Sequence, residues 1–127
     1  STLDRSSAAS DVYKRQYVFV AGSEMLEGFS EQQADEQQRF IEQFLRASED
    51  FQTEFGYSAG KYRADMLKLA SKYIGHTFKC VSLTLEMPFK DNAHSPEPKL
   101  GWNGARSAKL GQEILQPILH HLERSAR

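Results

Sequence analysis

Cys80 is the only cysteine in the sequence. A lone cysteine closes no internal disulfide, which fits a reducing compartment, and its apolar surroundings make it a small core residue rather than a reactive thiol. No apolar run approaches the ~20 residues that a membrane-spanning helix needs, so no membrane partner is expected. Residues 1–16 lack the apolar centre of a secretory signal, and the expected location is cytoplasmic. An excess of one charge is missing as well: 16 Lys and Arg stand against 17 Asp and Glu, a formal net charge of −1. Without a basic face the chain carries no nucleic-acid footprint. Histidine is scarce, with four residues in the 127.

What is present suffices for one domain with a modest core. Ser1 to Gln16 is polar and serine-rich, with no helical or strand period. It is expected to be a disordered tail, and Ser6 to Gln16 resembles translated adapter sequence rather than native protein. Tyr17-Val18-Phe19-Val20-Ala21 is rich in β-branched and aromatic residues and stops at Gly22, the pattern of a strand buried on both faces. Ser30 with Gln33 fits a capping box. A helix should follow to about Ala47, with Phe40, Ile41, Phe44 and Leu45 inward and Glu36, Gln37, Arg39, Glu42, Gln43 and Arg46 toward water.

An aromatic loop spans Phe51 to Lys61. Ala64 to about Thr77 reads as a second helix with Met66, Leu67, Ala70, Tyr73 and Ile74 on one stripe. Cys80 to Met87 reads as a second strand. Val81, Leu83, Leu85 and Met87 take one face and Ser82, Thr84 and Glu86 the other. Pro88 ends its pairing. Glu86 is therefore placed at the carboxyl end of a strand, where ligands and catalytic groups collect in open α/β sheets. A long connection follows to Gly101. Asn103 caps a third helix whose apolar face is Leu110, Ile114, Leu115, Ile118, Leu119 and Leu122, with a kink at Pro117. The two strands are expected in one sheet, parallel, because the connection between them is a long helical crossover.

Leu83-Thr84-Leu85-Glu86-Met87-Pro88-Phe89-Lys90-Asp91-Asn92 resembles the catalytic-glutamate segment of the zinc metallocarboxypeptidases, in the cytosolic-carboxypeptidase-like subgroup. Tyr17-Val18-Phe19-Val20-Ala21-Gly22 is similar to the family's Tyr-x-Phe-x-Ala-Gly strand, which closely follows the third zinc ligand, a His. Asp50-Phe51-Gln52-Thr53-Glu54-Phe55-Gly56-Tyr57 is similar to a segment that follows a helix in that family. The resemblance runs from about Tyr17 to Leu122. It implies an α/β fold, a layered mixed sheet with flanking helices, as part of a carboxypeptidase-type (phosphorylase/hydrolase-like) catalytic domain. It implies an enzyme that hydrolyses the C-termini of peptides or proteins, with zinc as cofactor and Glu86 as general base on the zinc-bound water.

The family's His-x-x-Glu pair and later His have no counterparts in this sequence, since no His stands between Asp11 and Gln16. The expected ligands lie upstream, so residues 17–127 read as the C-terminal part of the catalytic domain, inactive alone. His120-His121-Leu122-Glu123 has the spacing of a ligand pair but stands on an amphipathic terminal helix without a third ligand, and reads as coincidence. His120 and His121 diverge by about 100° around a helix and do not share one metal. Tyr57, Tyr62 and Arg63 are candidates for a substrate wall from their loop position. Lys61, Arg63 and Lys90 are either a basic pocket for acidic C-terminal residues or, more simply, solvated cations. The alternative to an enzyme is a small α/β binding module in which Glu86 is a structural rim charge.

Overall fold

The structure is a computed structural model and describes residues 16–24, 26–56 and 70–126. The substrate-wall candidates Tyr57, Tyr62 and Arg63, Lys61 and nearly all of the N-terminal tail lie outside the described residues. Strand β1 is Phe19–Ala21 and β2 is Thr84–Glu86. Helix α1 is Glu31–Ala47, α2 is Ala70–Phe78, α3 is Gly104–Glu113 and α4 is Leu115–Ser125.

Local chemistry sets the start of α1. The Ser30 hydroxyl accepts the Gln33 backbone N–H at 3.1 Å and the Gln33 side-chain oxygen accepts the Ser30 N–H at 3.2 Å, the reciprocal box the sequence predicts. Phe40 and Phe44 face inward as expected. Gln37 does not face water: it is buried and donates to Glu24 at 3.1 Å. Gln33 is buried as well, and its amide reaches the carbonyls of Gly75 at 2.9 Å and Cys80 at 3.4 Å. The capping residue thus also ties α1 to α2.

The two strands do share a sheet, but they are antiparallel, with Phe19 opposite Glu86, Val20 opposite Leu85 and Ala21 opposite Thr84. The parallel expectation rested on the length of the connection. A crossover is necessary for parallel neighbours, yet a connection of that length can return to either end of the sheet, so it sets no direction. The apolar run of β1 has another cause. β1 is flanked on one edge by β2 and on the other by a parallel bridge from Val18 to Phe51. β2 is also shorter than the predicted Cys80–Met87, because β1 offers only three paired positions. Cys80 lies outside the strand and is half-buried.

The faces of the second-strand segment divide as its alternation predicts. Leu83 and Leu85 pack against the core. Ser82 donates to the Ser71 carbonyl at 2.7 Å, and the hydroxyls of Ser71 and Thr84 are 2.8 Å apart, so α2 lies along the polar face. The apolar stripe predicted for the second helix does not bury its described members: Ala70, Tyr73 and Ile74 are exposed. Gly75 makes the approach instead. A Cβ there would stand 2.6 Å from the Ser23 hydroxyl, so only glycine lets the helix come this close.

Asn103 caps α3 through the Arg106 N–H at 3.1 Å, as predicted. The single third helix is in fact two, broken at Ile114. Pro117 has no N–H to offer the carbonyl of Glu113, four residues earlier, so the α-helical ladder fails there. Among the described residues the core consists of Val18, Phe40, Phe44, Phe51 and Leu110. Fully burying such a side chain stabilises by about 1.5–3 kcal/mol. Beyond it, Val20, Leu83, Leu85, Ile114, Ile118 and Leu122 line an open groove of about 280 Å³. Leu115, Ile118, Leu119 and Leu122, predicted to be inward, are exposed; Ile118 and Leu122 line the open groove and are not part of the closed core. Among the described residues no helix is long and apolar enough to cross a membrane.

Lys72 on α2 offers a test of this packing. Burial pushes its ammonium below the ordinary value of 10.5, and Glu24 partly opposes the shift. Below both the folded and unfolded pKa values the charged side chain disfavours folding. As pH rises through the lowered folded pKa toward 10.5, the unfolded state binds more protons and stability is regained. Lys72→Met is therefore expected to stabilise the chain at pH 7, with an advantage that shrinks on approaching pH 10.5. Urea unfolding across that range measures it, and a pH-independent difference would contradict the burial of Lys72.

Candidate active site

Glu86 is the last residue of β2 and is half-buried. Antiparallel pairing sets it opposite Phe19, the first residue of β1. The carboxylate thus stands at the end of the sheet where β1 begins. In a parallel pair it would have stood where β1 ends. The loop leaving β2 touches the same end, since the Ala93 N–H donates to the Gln16 carbonyl at 2.8 Å. That contact is backbone to backbone and does not depend on the side chain at Gln16.

The loop is held by a polar cluster. The Arg106 guanidinium donates to Asp50 at 2.6 Å, to the Ser95 carbonyl at 2.8 Å and to Asp91 at 3.2 Å. Asp91 also accepts the Glu97 N–H at 2.9 Å and the Asn92 N–H at 2.8 Å. Asn92 is fully buried and donates to the Asp50 carbonyl at 2.9 Å. The Trp102 N–H donates to the Lys90 carbonyl at 2.7 Å, and the Trp102 ring lies 4.8 Å from the guanidinium. Gly101 has a φ of +61°, and a Cβ there would collide with the Lys90 carbonyl oxygen, so glycine is required twice over. On the other side, Gln52 donates to the Val18 carbonyl at 3.2 Å. One chain of polar contacts therefore joins the segment after α1, the start of β1 and the loop after Glu86.

Among the other residues singled out by sequence, Lys90 and His94 are exposed. His120 and His121 are half-buried in the middle of α4, beside Glu36 and Arg39. His76 is on α2, with its Nδ1 buried and unpartnered. Among the described residues no group of three or more His, Cys, Asp or Glu side chains is placed to hold a metal ion. The described donor set does not fit a zinc centre.

Asp50, Asn92 and Arg106 were missed as members of the site. A signal for two of them was present: Asp50 and Asn92 fall inside the stretches that carry the family resemblance. Arg106, inside an ordinary amphipathic helix, gave none.

No family model matches the chain. An uncharacterised protein of Zymomonas mobilis is 35% identical over 99 residues, which is 78% of this chain and 26% of that protein. The crystal structure of a metallo-carboxypeptidase from Burkholderia cenocepacia matches with 66% identity and a TM-score of 0.81, over 85% of this chain and 28% of that one. A metallo-carboxypeptidase from Pseudomonas aeruginosa, solved in complex with (2-guanidinoethylmercapto)succinic acid, matches with 37% identity and a TM-score of 0.77, over 84% of this chain and 28% of that one. The chain is thus similar, in sequence and in fold, to 28% of the length of these two metallo-carboxypeptidases.

Proposed function

We propose that residues 17–127 are the C-terminal part of the catalytic domain of a carboxypeptidase of the cytosolic-carboxypeptidase-like subgroup, with residues 1–16 a non-native tail. The complete domain would be a layered mixed sheet with flanking helices, and its substrates the C-termini of peptides or proteins. The metal would be zinc, held by residues upstream of this chain, and the chain alone would be inactive. Glu86 would be the general base that takes the proton of the attacking water.

The observation that carries this reading is the antiparallel register. It sets Glu86 against the start of β1, where the preceding chain arrives. Ligands supplied just before Tyr17 would then approach the same end of the sheet as the base. A general base must lie within hydrogen-bond reach of the proton it abstracts, directly or through one water. A carboxylate on a strand end, next to a loop pinned by several contacts, suits that requirement better than one on a free loop.

The test is the natural reading frame upstream of Tyr17 and the full-length protein it encodes. A His-x-x-Glu and a further His close before Tyr17 are expected, together with release of C-terminal residues from peptides and loss of activity on chelation. A natural full-length protein that lacks those residues and releases no C-terminal residue would favour the non-catalytic binding module instead.

A further inference from the structure

We infer that Arg106 is a positioning residue for Glu86, acting through the loop that leaves β2; this rests on the reading of Glu86 as general base. Arg106 is on α3, at a distance in sequence from both segments it joins. Its guanidinium holds Asp50, which follows α1, together with Asp91 and the Ser95 carbonyl, which follow β2. The side chain of Asp50 is 3% exposed and that of Arg106 16%. An ion pair so enclosed is screened far less than a surface pair and holds its geometry accordingly.

The link to Glu86 is short. Met87, Pro88 and Phe89 alone separate it from Lys90, whose carbonyl is fixed by the Trp102 N–H. Pro88 is buried and its φ is locked by its ring. A shift at Asp91 therefore has few free dihedrals in which to relax before it reaches the strand end. The opposite edge of Glu86 is fixed by the same cluster: Asp50 leads directly into Phe51 and Gln52, which are bound to Val18 next to Phe19. Releasing Arg106 would loosen the loop beyond Glu86 and the segment that braces its strand partner.

The three acceptors are met by two different nitrogens, Nη1 for Asp91 and Nη2 for Asp50 and the Ser95 carbonyl, a fork that a lysine ammonium, with all its donors on one nitrogen, does not reproduce. Lysine would keep the positive charge between the two carboxylates but lose part of the fork. The conservative variant should therefore restore part of the function.

The experiment compares Arg106→Gln, Arg106→Lys and Glu86→Gln in the full-length protein, with kcat expressed per metal-loaded site. Arg106→Gln is expected to lower kcat roughly 10- to 100-fold, the cost of misplacing a reacting group by about 1 Å. KM should stay within about twofold and metal content should not change, because the loss falls on the transition state rather than on substrate binding. Arg106→Lys should recover part of kcat. A purely structural role would reduce the fraction of folded enzyme and leave kcat per site alone. Should Arg106→Gln fold poorly, Asp91→Asn removes one contact of the same loop and should lower kcat in the same direction by less. An inactive Glu86→Gln beside an Arg106→Gln of undiminished kcat overturns the positioning role and leaves the base in place. A fully active Glu86→Gln removes the base and the positioning role together.

Discussion

If Glu86 is the proposed base, replacing it by Gln in the full-length protein is expected to lower kcat by at least about 10²–10⁴-fold, the usual contribution of general acid–base catalysis. Glutamine keeps the size of the side chain and much of its hydrogen bonding but cannot take a proton. Metal content should be unchanged, since Glu86 is not proposed as a ligand. KM should change little, because the proton transfer belongs to the transition state. Retained metal with near-normal turnover would remove Glu86 from the mechanism. Loss of metal would instead make it a ligand or a support of the ligands.

Phe44→Ala is expected to destabilise the chain by about 3–5 kcal/mol, the range for removing a buried aromatic side chain. Domains of this size are stable by only about 5–15 kcal/mol in total, so the loss is a large fraction of the whole. Phe44 is 0% exposed. It stacks on Phe51 with ring centroids 4.1 Å apart and meets Phe40 edge-on at 6.4 Å. It therefore joins α1 to the segment that carries Asp50 and Gln52. Loss of the ring should be felt at the Arg106 cluster as well as in the core. Phe44→Leu, which refills part of the volume, should cost less. Denaturant unfolding of the three proteins measures both steps, and a Phe44→Ala cost below about 1 kcal/mol would contradict the close packing on which that range depends.

An open groove separates the sheet from α4, and Leu115, Leu119 and Leu122 are exposed beside it. An apolar stripe at helical spacing announces that a helix has something to cover. It does not say whether the cover lies in the same stretch of chain. Leu110 finds its place in the core, while α4 presents most of its stripe to the groove and to solvent.

Several features were determined by the sequence over a few residues. The capping box at Ser30, the cap at Asn103 and the end of pairing before Pro88 each depend on groups within one helical turn or one strand step, and each is found where the residues put it. The alternation that puts Leu83 and Leu85 on one face and Ser82 and Thr84 on the other is local in the same sense. Strand direction, the inward turn of Gln33 and Gln37, and the cluster around Arg106 were decided only in three dimensions. Arg106 and Asp50 are 56 residues apart, and Asn92 and Asp50, like Gln33 and Gly75, are 42 apart. A buried polar side chain costs free energy unless a partner meets it. Which side chain can be buried therefore depends on what the rest of the chain brings to it, and neither periodicity nor composition carries that information. Glu86 depends on both scales: its place at a strand end was written in the proline that follows it, and the end of the sheet it faces was fixed by how β1 and β2 pair.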